Sequence, residues 1–253
     1  MELGDRMKCY EEVTKTKLPK RTYTIIRLDG KAFHTFTKGL KRPYDKDFTD
    51  VMDKTALYLC KNIQGAIYAY VQSDEISILL CDFKENETTP WFGGEIQKMA
   101  SISASMATAY FNSIFKHSNK LAMFDSRIFS ISSKLDAMNC FIWRQQDCVK
   151  NSISMAAHTY FSTSYLHKKT GNEKQELLFK EKGINWNDYP VRFKRGGFIF
   201  KQIGLKEIDS KYSNQKDIIE KDGKYYVPRE SFEIIECPHF SIENLEFITP
   251  TLK

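Results

Sequence analysis

Two short acidic motifs carry the clearest chemical signal in the 253-residue sequence. Asp29-Gly30 ends one apolar run, and Ser73-Asp74-Glu75 lies between two others. Carboxylate oxygens are the ligands that Mg²⁺ prefers, and two or three carboxylates can hold a pair of ions about 3.5–4 Å apart. Such a pair positions and neutralises a phosphoryl group during its transfer. An Asp-Gly pair alone is usually only a turn, so this chemistry requires that the fold bring residues 29 and 74 together.

The secondary-structure elements around these motifs are predicted to bring residues 29 and 74 together. Apolar periodicity and turn residues predict a strand at 23–28, a helix at 45–62, strands at 67–71 and 76–80, a helix at 94–115 and a strand at 126–131. Asp45 is suited to cap the first helix. The order β-α-β-β-α-β is that of a ferredoxin-like sheet, in which the first and third strands lie side by side and antiparallel. The strand that Asp29 closes would then end beside the strand that Asp74 and Glu75 open.

The rest of the chain is predicted to pack on this core. It contains a predicted helix at 135–161, a charged helix at 173–182 and strands at 197–203 and 224–227. The polar segment 206–222 is expected to be the most mobile loop. The predicted fold class is α+β, with a catalytic core at 20–132 and a helical and strand segment at 133–253 packed on it as one compact unit.

Composition narrows the class of protein. Lys and Arg number 38 against 32 Asp and Glu, and this net charge of +6 fits an RNA or nucleotide ligand but also an ordinary enzyme. The six cysteines form no C-x-x-C pair, which argues against a zinc framework and favours reduced thiols in the cytoplasm. The sequence shows no signal-peptide pattern, and no apolar run reaches the roughly 20 residues of a membrane span. We therefore expect a cytoplasmic protein with no membrane contact. A P-loop ATPase is disfavoured, because no G-x-x-x-x-G-K-[ST] motif is present.

Five motifs follow one another along the chain: RLDGKAFH at 27–34, KRPYD at 41–45, QSDE at 72–75, FDSR at 124–127 and WRQQDC at 143–148. In order and spacing they resemble the tRNA-histidine guanylyltransferase family, and the stretch 173–187 is similar to it as well. The resemblance spans about residues 20–200. It implies a polymerase-type palm that adds nucleotides in the 3′-to-5′ direction. The 3′-hydroxyl of a nucleoside triphosphate would attack the activated 5′ end of a tRNA, and ATP would first activate a 5′-monophosphate.

The resemblance also implies ligands and partners. The cofactor would be two Mg²⁺ ions held by Asp29, the carbonyl of Gly30 and Asp74, with Glu75 as a third acidic catalytic residue. The partners would be tRNA, ATP, and GTP or other nucleoside triphosphates. The assembly would be a homotetramer.

A wider set of residues receives roles in the same way. Those matching nucleotide-binding positions are Asp29, Gly30, Lys31, Ala32, Phe33, His34, Arg42, Asp45, Ser73, Asp74, Lys98 and Ser103. Those tied to nucleotide or tRNA handling are Arg27, Arg127, Arg144, Asn151 and Lys174. Trp143 and Phe141, by contrast, are expected to be core side chains rather than a base-stacking platform.

One departure from the family pattern bears on the reaction. Eukaryotic members that add the extra guanosine of histidine tRNA carry a Cys-His-Ile-Asn run, where this sequence has Cys148-Val149-Lys150-Asn151. The pattern is similar to the bacterial and archaeal branch, which fills in missing 5′ nucleotides against the opposite strand. Template-directed 5′-end repair of tRNA is therefore the expected activity. The alternatives are guanosine addition to histidine tRNA, a palm-type nucleotidyl cyclase and a noncatalytic RNA-binding module.

Overall fold

The central element of the protein is a seven-stranded antiparallel sheet. A computed structural model describes residues 1–83, 87–117, 120–209, 218–241 and 243. Its strands are β1 (Tyr23–Gly30), β2 (Ala66–Gln72), β3 (Glu75–Cys81), β4 (Phe124–Ile131), β5 (Gly197–Ile208), β6 (Ile219–Lys221) and β7 (Lys224–Glu236). They lie across the sheet in the order β4-β1-β3-β2-β5-β7-β6.

Helices cover both faces of this sheet. They are α1 (Leu3–Glu12), α2 (Phe33–Phe36), α3 (Lys46–Asn62), α4 (Ile96–Ile114), α5 (Lys134–Tyr160), α6 (Thr163–Leu166), α7 (Gly171–Lys182) and α8 (Val191–Arg195), with 3-10 turns at Trp91–Gly94 and Trp186–Asp188. α3 and α4 pack on one face, and α5 packs on the other. Within the described ranges, none of these helices combines the length and apolarity needed to cross a bilayer.

The predicted ferredoxin-like core is confirmed by the order and pairing of the first four strands. β1 lies between β4 and β3, and β3 lies between β1 and β2. In the antiparallel register of β1 and β3, Ile26 lies opposite Ile78 and Leu28 lies opposite Ile76. The end of β1 therefore meets the beginning of β3, as the topology predicts.

Successive side chains of β1 point to opposite faces of the sheet and join two separate hydrophobic clusters. Ile26 and Leu28 belong to the cluster under α3 and α4, together with Met52. Ile25 belongs to the cluster under α5, together with Phe141. All of these side chains are fully buried, and each contributes about 1.5–3 kcal/mol to stability. Because β1 is fixed from both sides, the position of the residues at its end is fixed as well.

The start of α3 confirms the predicted cap at Asp45. One carboxylate oxygen accepts a hydrogen bond from the amide of Phe48 (2.9 Å), which satisfies a free donor of the first turn. The other oxygen accepts from the amide of Lys41 (3.1 Å). The side chain thus ties the loop at 41–45 to the helix.

The C-terminal strands are longer than predicted. β5 ends at Ile208 and β7 at Glu236, whereas the sequence predicted strands at 197–203 and 224–227. The two strands pair with each other along their whole length, from Gly197↔Glu236 to Ile208↔Tyr225. The parts that were not predicted, 204–208 of β5 and 228–236 of β7, contain no buried residue, so they lack the apolar alternation from which a strand is predicted.

The predicted loop at 206–222 is wrong at both ends. Residues 206–208 belong to β5, and residues 219–221 form β6 against β7. Residues 210–217 lie outside the described residues. β5 also pairs with β2, which joins the C-terminal part to the sheet of the core. The division at 132–133 stays a prediction.

Two smaller features complete the fold. Helix α1 was not predicted, and it buries none of its residues. The six cysteines are all free thiols, and four of them, Cys60, Cys81, Cys148 and Cys237, are buried.

Candidate active site

The leading candidate residues lie where β1 ends and β3 begins. Ser73-Asp74 links β2 to β3, and Ser73 adopts a left-handed backbone conformation (φ 46°), as tight hairpin links require. Since Leu28 lies opposite Ile76, the next residue of β1, Asp29, lies beside this link. The structure therefore contains the predicted juxtaposition of Asp29 and Asp74.

Two adjoining cavities meet at these carboxylates. The larger has a volume of about 470 Å³ and extends toward α5 and α8, and the smaller, of about 410 Å³, extends along the loop between β1 and α3. Both volumes fall in the range of small-molecule sites. The residues that line both cavities are Asp29, Pro43, Asp45, Phe48, Ser73, Asp74 and Met155. Groups bound in the two cavities would meet at Asp29 and Asp74.

Gly30 determines how β1 leaves the sheet beside the smaller cavity. A Cβ atom at this position would overlap the ring of Phe33. That ring is buried and packs against Phe36, Phe111 and Phe124, with centroid distances of 5.1, 5.7 and 5.1 Å. The ring cannot move aside without disturbing this aromatic cluster, so glycine is required where the chain turns past Asp29.

The loop after Gly30 offers polar groups to the smaller cavity. Ala32, His34 and Arg42 line it. Over the part of the chain that the structure describes, the backbone amides of Ala32 and His34 donate to no protein acceptor, whereas that of Lys31 donates to the carbonyl of Met123 (2.8 Å). Free amides and a guanidinium suit an anionic ligand. Lys31 does not line either cavity.

Asp74 carries a charge that the protein does not balance. Burial raises the pKa of Asp74, and the charges of Asp29 and Glu75 raise it further, against a hydrogen bond from Ser73 that lowers it. Asp29 forms a distant ion pair with Arg127 (3.8 Å), and the exposed fractions of the two side chains are 41% and 55%. Such exposed pairs stabilise little. The two carboxylates therefore form a site that favours an added cation.

Glu75 differs from Asp74 although it is the next residue. Its carboxylate accepts a hydrogen bond from Nε of Arg144 (2.8 Å), and only 13% of its side chain is exposed. Arg144 also binds Asp147 (2.8 Å), and Asn151 donates to Asp147 (3.2 Å). Glu75 is thus one member of a buried ionic network that links β3 to α5.

Glu75 lines the larger cavity together with the two aspartates, but its carboxylate is already bound by Arg144, and its role as a third catalytic carboxylate stays a prediction. Among the residues with described positions, no group of three or more His, Cys, Asp and Glu side chains could hold a metal ion. The available donors are Asp29, Asp74 and the carbonyl of Gly30, all of them hard oxygens. This set fits Mg²⁺, which is usually bound by one or two carboxylates together with substrate phosphates.

Most of the other predicted site residues line the cavities, but several do not. Those that line at least one cavity are Gly30, Ala32, Phe33, His34, Arg42, Asp45, Ser73, Arg144 and Asn151. Ser103 is buried and shares a hydrogen bond with Ser126 (2.8 Å), which joins α4 to β4. Lys98 lies over the ring of Phe92 (5.3 Å), and Lys174 donates to Ser154 (2.7 Å), both outside the cavities. Their predicted contacts with nucleotide or tRNA therefore need a ligand that reaches beyond the cavities.

Arg27 and Arg127 also lie outside the two cavities. They are register partners on β1 and β4, and Arg127 lies 3.8 Å from both Asp29 and Asp125. Their roles in nucleotide or tRNA handling stay predictions.

Sequence reasoning missed Arg192, which lines the larger cavity. Its guanidinium binds both carboxylate oxygens of Asp53 (2.8 and 2.9 Å), and the two side chains are 17% and 8% exposed. The pair lies against Gly197, where an added Cβ would overlap Asp53. The partners are 139 residues apart, so only the tertiary structure reveals the pair.

Comparison with known proteins gives a consistent result. The sequence profile described as "Thg1: tRNAHis guanylyltransferase" matches residues 4–132. A bacterial tRNA(His) guanylyltransferase (Thg1)-like protein in complex with ATP has 46% identity, covering 79% of this chain and 88% of its own, with a TM-score of 0.76. A bacterial Thg1-like protein in complex with GTP has 39% identity, covering 97% of this chain and 98% of its own, with a TM-score of 0.77. The tRNA(His) guanylyltransferase of Schizosaccharomyces pombe is 28% identical, over 96% of this chain and 93% of its own.

Proposed function

Because this chain belongs to the tRNAHis guanylyltransferase (Thg1) family, we propose that it adds nucleotides to the 5′ end of tRNA in the 3′-to-5′ direction. The observation that carries the proposal is the junction of two cavities at Asp29 and Asp74. A nucleotidyl transfer brings together two phosphate-bearing partners, and a junction of this kind has room for both. The ATP and GTP complexes of similar proteins support nucleoside triphosphates as ligands.

Asp29, Asp74 and the carbonyl of Gly30 are the groups that would hold Mg²⁺. When bound, two such ions neutralise phosphate oxygens and lower the pKa of an attacking hydroxyl. Burial and the like charges of Asp29 and Glu75 disfavour the ionised form of Asp74 in the folded protein. A bound cation would stabilise that ionised form, so its binding is favoured.

The two cavities differ in what they offer to the two substrates. The smaller one has free backbone amides at Ala32 and His34 together with Arg42, and we assign it to a triphosphate. The larger one has Arg144 and Asn151 on the α5 side, and we assign it to the 5′ end of the tRNA. ATP activates a 5′-monophosphate, whose oxygen bonds to the α-phosphorus of ATP as pyrophosphate leaves, and a 5′-triphosphate needs no activation. The 3′-hydroxyl of the nucleoside triphosphate then loses its proton and attacks the tRNA 5′ phosphorus at the junction, while the bond to AMP (adenylylated end) or to pyrophosphate (triphosphate end) breaks.

Template-directed repair is the activity that we assign within the family. Val149, which replaces the histidine of eukaryotic members, is half-buried on α5 and has no polar group to recognise a particular base. The higher identity to bacterial Thg1-like proteins (39–46%) than to the Schizosaccharomyces pombe enzyme (28%) also supports this branch. Base pairing with the opposite strand would then select the nucleotide.

A single extension assay tests the proposal. A tRNA that lacks its first 5′ nucleotide is supplied with Mg²⁺ and all four nucleoside triphosphates, and the base opposite the gap is varied. Extension that follows the opposite base is expected. Guanosine addition regardless of that base would replace repair by histidine-tRNA maturation. Cyclic nucleotide formed without RNA, or no product at all, would overturn the proposal.

Asp125→Asn is a matched control for an Asp29→Asn variant in this assay. Asp125 lies opposite Asp29 in the sheet and at the same 3.8 Å distance from Arg127, but it lines neither cavity. Asp125→Asn removes one negative charge close to Asp29, so extension should continue in this variant.

The homotetramer and the cytoplasmic location stay predictions. Light scattering after gel filtration measures the oligomeric state.

A further inference from the structure

Trp143 is unusually exposed for a tryptophan. It lies on α5 with 53% of its surface accessible, while Phe141, two residues earlier, is fully buried. Tryptophan is highly buried on average, and exposed tryptophans are enriched in interfaces. The expectation that both residues belong to the core is confirmed for Phe141 and wrong for Trp143.

The geometry of α5 explains this difference. The residues that face the sheet are Phe141, Arg144, Gln145 and Cys148, at the spacing of one helix face. Trp143 lies outside that stripe. Its ring is near two guanidinium groups, with Arg144 at 4.4 Å and Arg27 at 5.9 Å from the ring centroid. The result is an aromatic surface next to two cations.

This surface lies next to the candidate active site. Arg27 precedes Asp29 by two residues on β1, which is about 7 Å along a strand. Arg144 lines the larger cavity and binds Glu75, the neighbour of Asp74. The indole does not line that cavity itself, but its ring centroid lies 4.4 Å from the guanidinium of Arg144, which does.

We propose that the indole of Trp143 stacks on the base at the 5′ end of the RNA substrate, and that Arg27 attracts the adjoining phosphate. The proposal rests on the proposed function. Asp29 and Asp74 bind phosphate only when a cation lies between, so a contact with the terminal base gives an RNA end affinity that does not depend on the metal. Every base presents a π face, and stacking therefore accepts any terminal nucleotide, as a repair enzyme requires. The occupant is RNA rather than a second copy of this chain, because Arg27 next to the ring complements a phosphate backbone, while Arg144 is already paired with Glu75 and Asp147.

Three variants test the stacking contact. Trp143→Ala should weaken binding of a tRNA that lacks its first nucleotide by about fivefold to 150-fold, the effect typical of one lost base stack. Trp143→Phe keeps a π face and should retain most of the affinity. Tyr165→Ala is the matched control, because Tyr165 is 46% exposed and has Lys169 at 5.1 Å but lies on α6, outside both cavities. Binding is measured by fluorescence anisotropy, and affinity for ATP is measured beside it and should not change.

A spectroscopic measurement reports the contact itself. The RNA carries 2-aminopurine as its 5′-terminal base, and its fluorescence should be quenched by the wild type and less by Trp143→Ala. In the wild type, the RNA should also protect tryptophan emission from acrylamide. Wild-type affinity and quenching in Trp143→Ala would overturn the proposal. A change of oligomeric state in that variant, with unchanged RNA affinity per site, would assign the ring to self-association and overturn it as well.

Failure of the stacking proposal can be distinguished from failure of the proposed function. If the wild type extends tRNA and Trp143→Ala does so with the same KM for tRNA, only the stacking proposal fails. If the wild type neither binds nor extends tRNA, the proposed function fails and the stacking proposal fails with it.

Discussion

The Asp29–Asp74 pair and the Asp53–Arg192 pair lie beside the same cavity but differ in how their charges are balanced. Asp53 is bound through both oxygens by a guanidinium, and the two side chains are largely buried. Burial raises the pKa of both aspartates, but Arg192 lowers that of Asp53, whereas Asp29 and Glu75 raise that of Asp74 further. Asp53 therefore forms a structural ion pair, whereas Asp29 and Asp74 place two negative charges side by side. The difference shows which carboxylates are available to an external cation.

The largest effect is expected for Asp29→Asn and Asp74→Asn. Each removes a donor for Mg²⁺, and the loss of several kcal/mol of transition-state stabilisation lowers turnover by on the order of a thousandfold. Asp74→Asn should also raise the melting temperature of the metal-free protein, because it removes a charge that folding disfavours. Extension assays and thermal melts measure both quantities. Turnover near that of the wild type in either variant would remove the metal assignment.

A large effect of a different kind is expected for Asp53→Ala. It leaves Arg192 without its partner, and breaking such a pair lowers the free energy of unfolding by about 3–5 kcal/mol. Urea denaturation measures the loss. The double variant Asp53→Leu/Arg192→Met should recover most of it, since no unpaired charge remains. A loss below about 1 kcal/mol in the single variant would mean that the pair behaves like an exposed one.

Glu75→Gln sharpens the comparison because Glu75 is adjacent to Asp74. The ion pair with Arg144 becomes a hydrogen bond to a neutral amide oxygen, and stability should fall by up to about 3 kcal/mol. Turnover of the folded protein should fall much less than in Asp74→Asn, since Glu75 already has a protein partner. Equal losses of turnover in the two variants would show that Glu75 is a catalytic carboxylate, as the family resemblance implies.

The raised pKa of Asp74 predicts a pH dependence for Mg²⁺ binding. A cation binds the ionised carboxylate, so protonation competes with it as the pH falls. Because the pKa is raised, this competition begins at a higher pH than for an ordinary aspartate, and below that pKa affinity should fall about tenfold per pH unit. Calorimetric titration with Mg²⁺ over a pH series measures the slope.

The smallest effect is expected for Ser103→Ala. The hydrogen bond with Ser126 is lost, and stability falls by about 0.5–1.5 kcal/mol. Since Ser103 is buried between α4 and β4, KM values for nucleotides should not change. An increase in the KM for a nucleotide would show that the role implied by the family resemblance is correct and that a ligand reaches this position.

The core of the fold could be predicted from the sequence, and the outer strands could not. β1, β2 and β3 alternate in burial or run as short apolar segments, and the link Ser73-Asp74 leaves little choice but a hairpin. β5 and β7 pair with each other along their length, and residues 204–208 of β5 and 228–236 of β7 include no buried side chain that would give a periodic signal. Trp143 illustrates the same limit at one residue, because the burial of a side chain on a long helix depends on which neighbours cover it.

The sequence by itself determined that Asp29 and Asp74 would lie together. Local periodicity defines β1 and β3, and the β-α-β-β-α-β order makes them antiparallel neighbours, so no knowledge of side-chain packing is needed. Only the tertiary structure decided which carboxylates are neutralised. Arg144 is 69 residues from Glu75, and Arg192 is 139 residues from Asp53. Electrostatic compensation acts over a few ångströms in space, and the order of residues along the chain does not encode that distance.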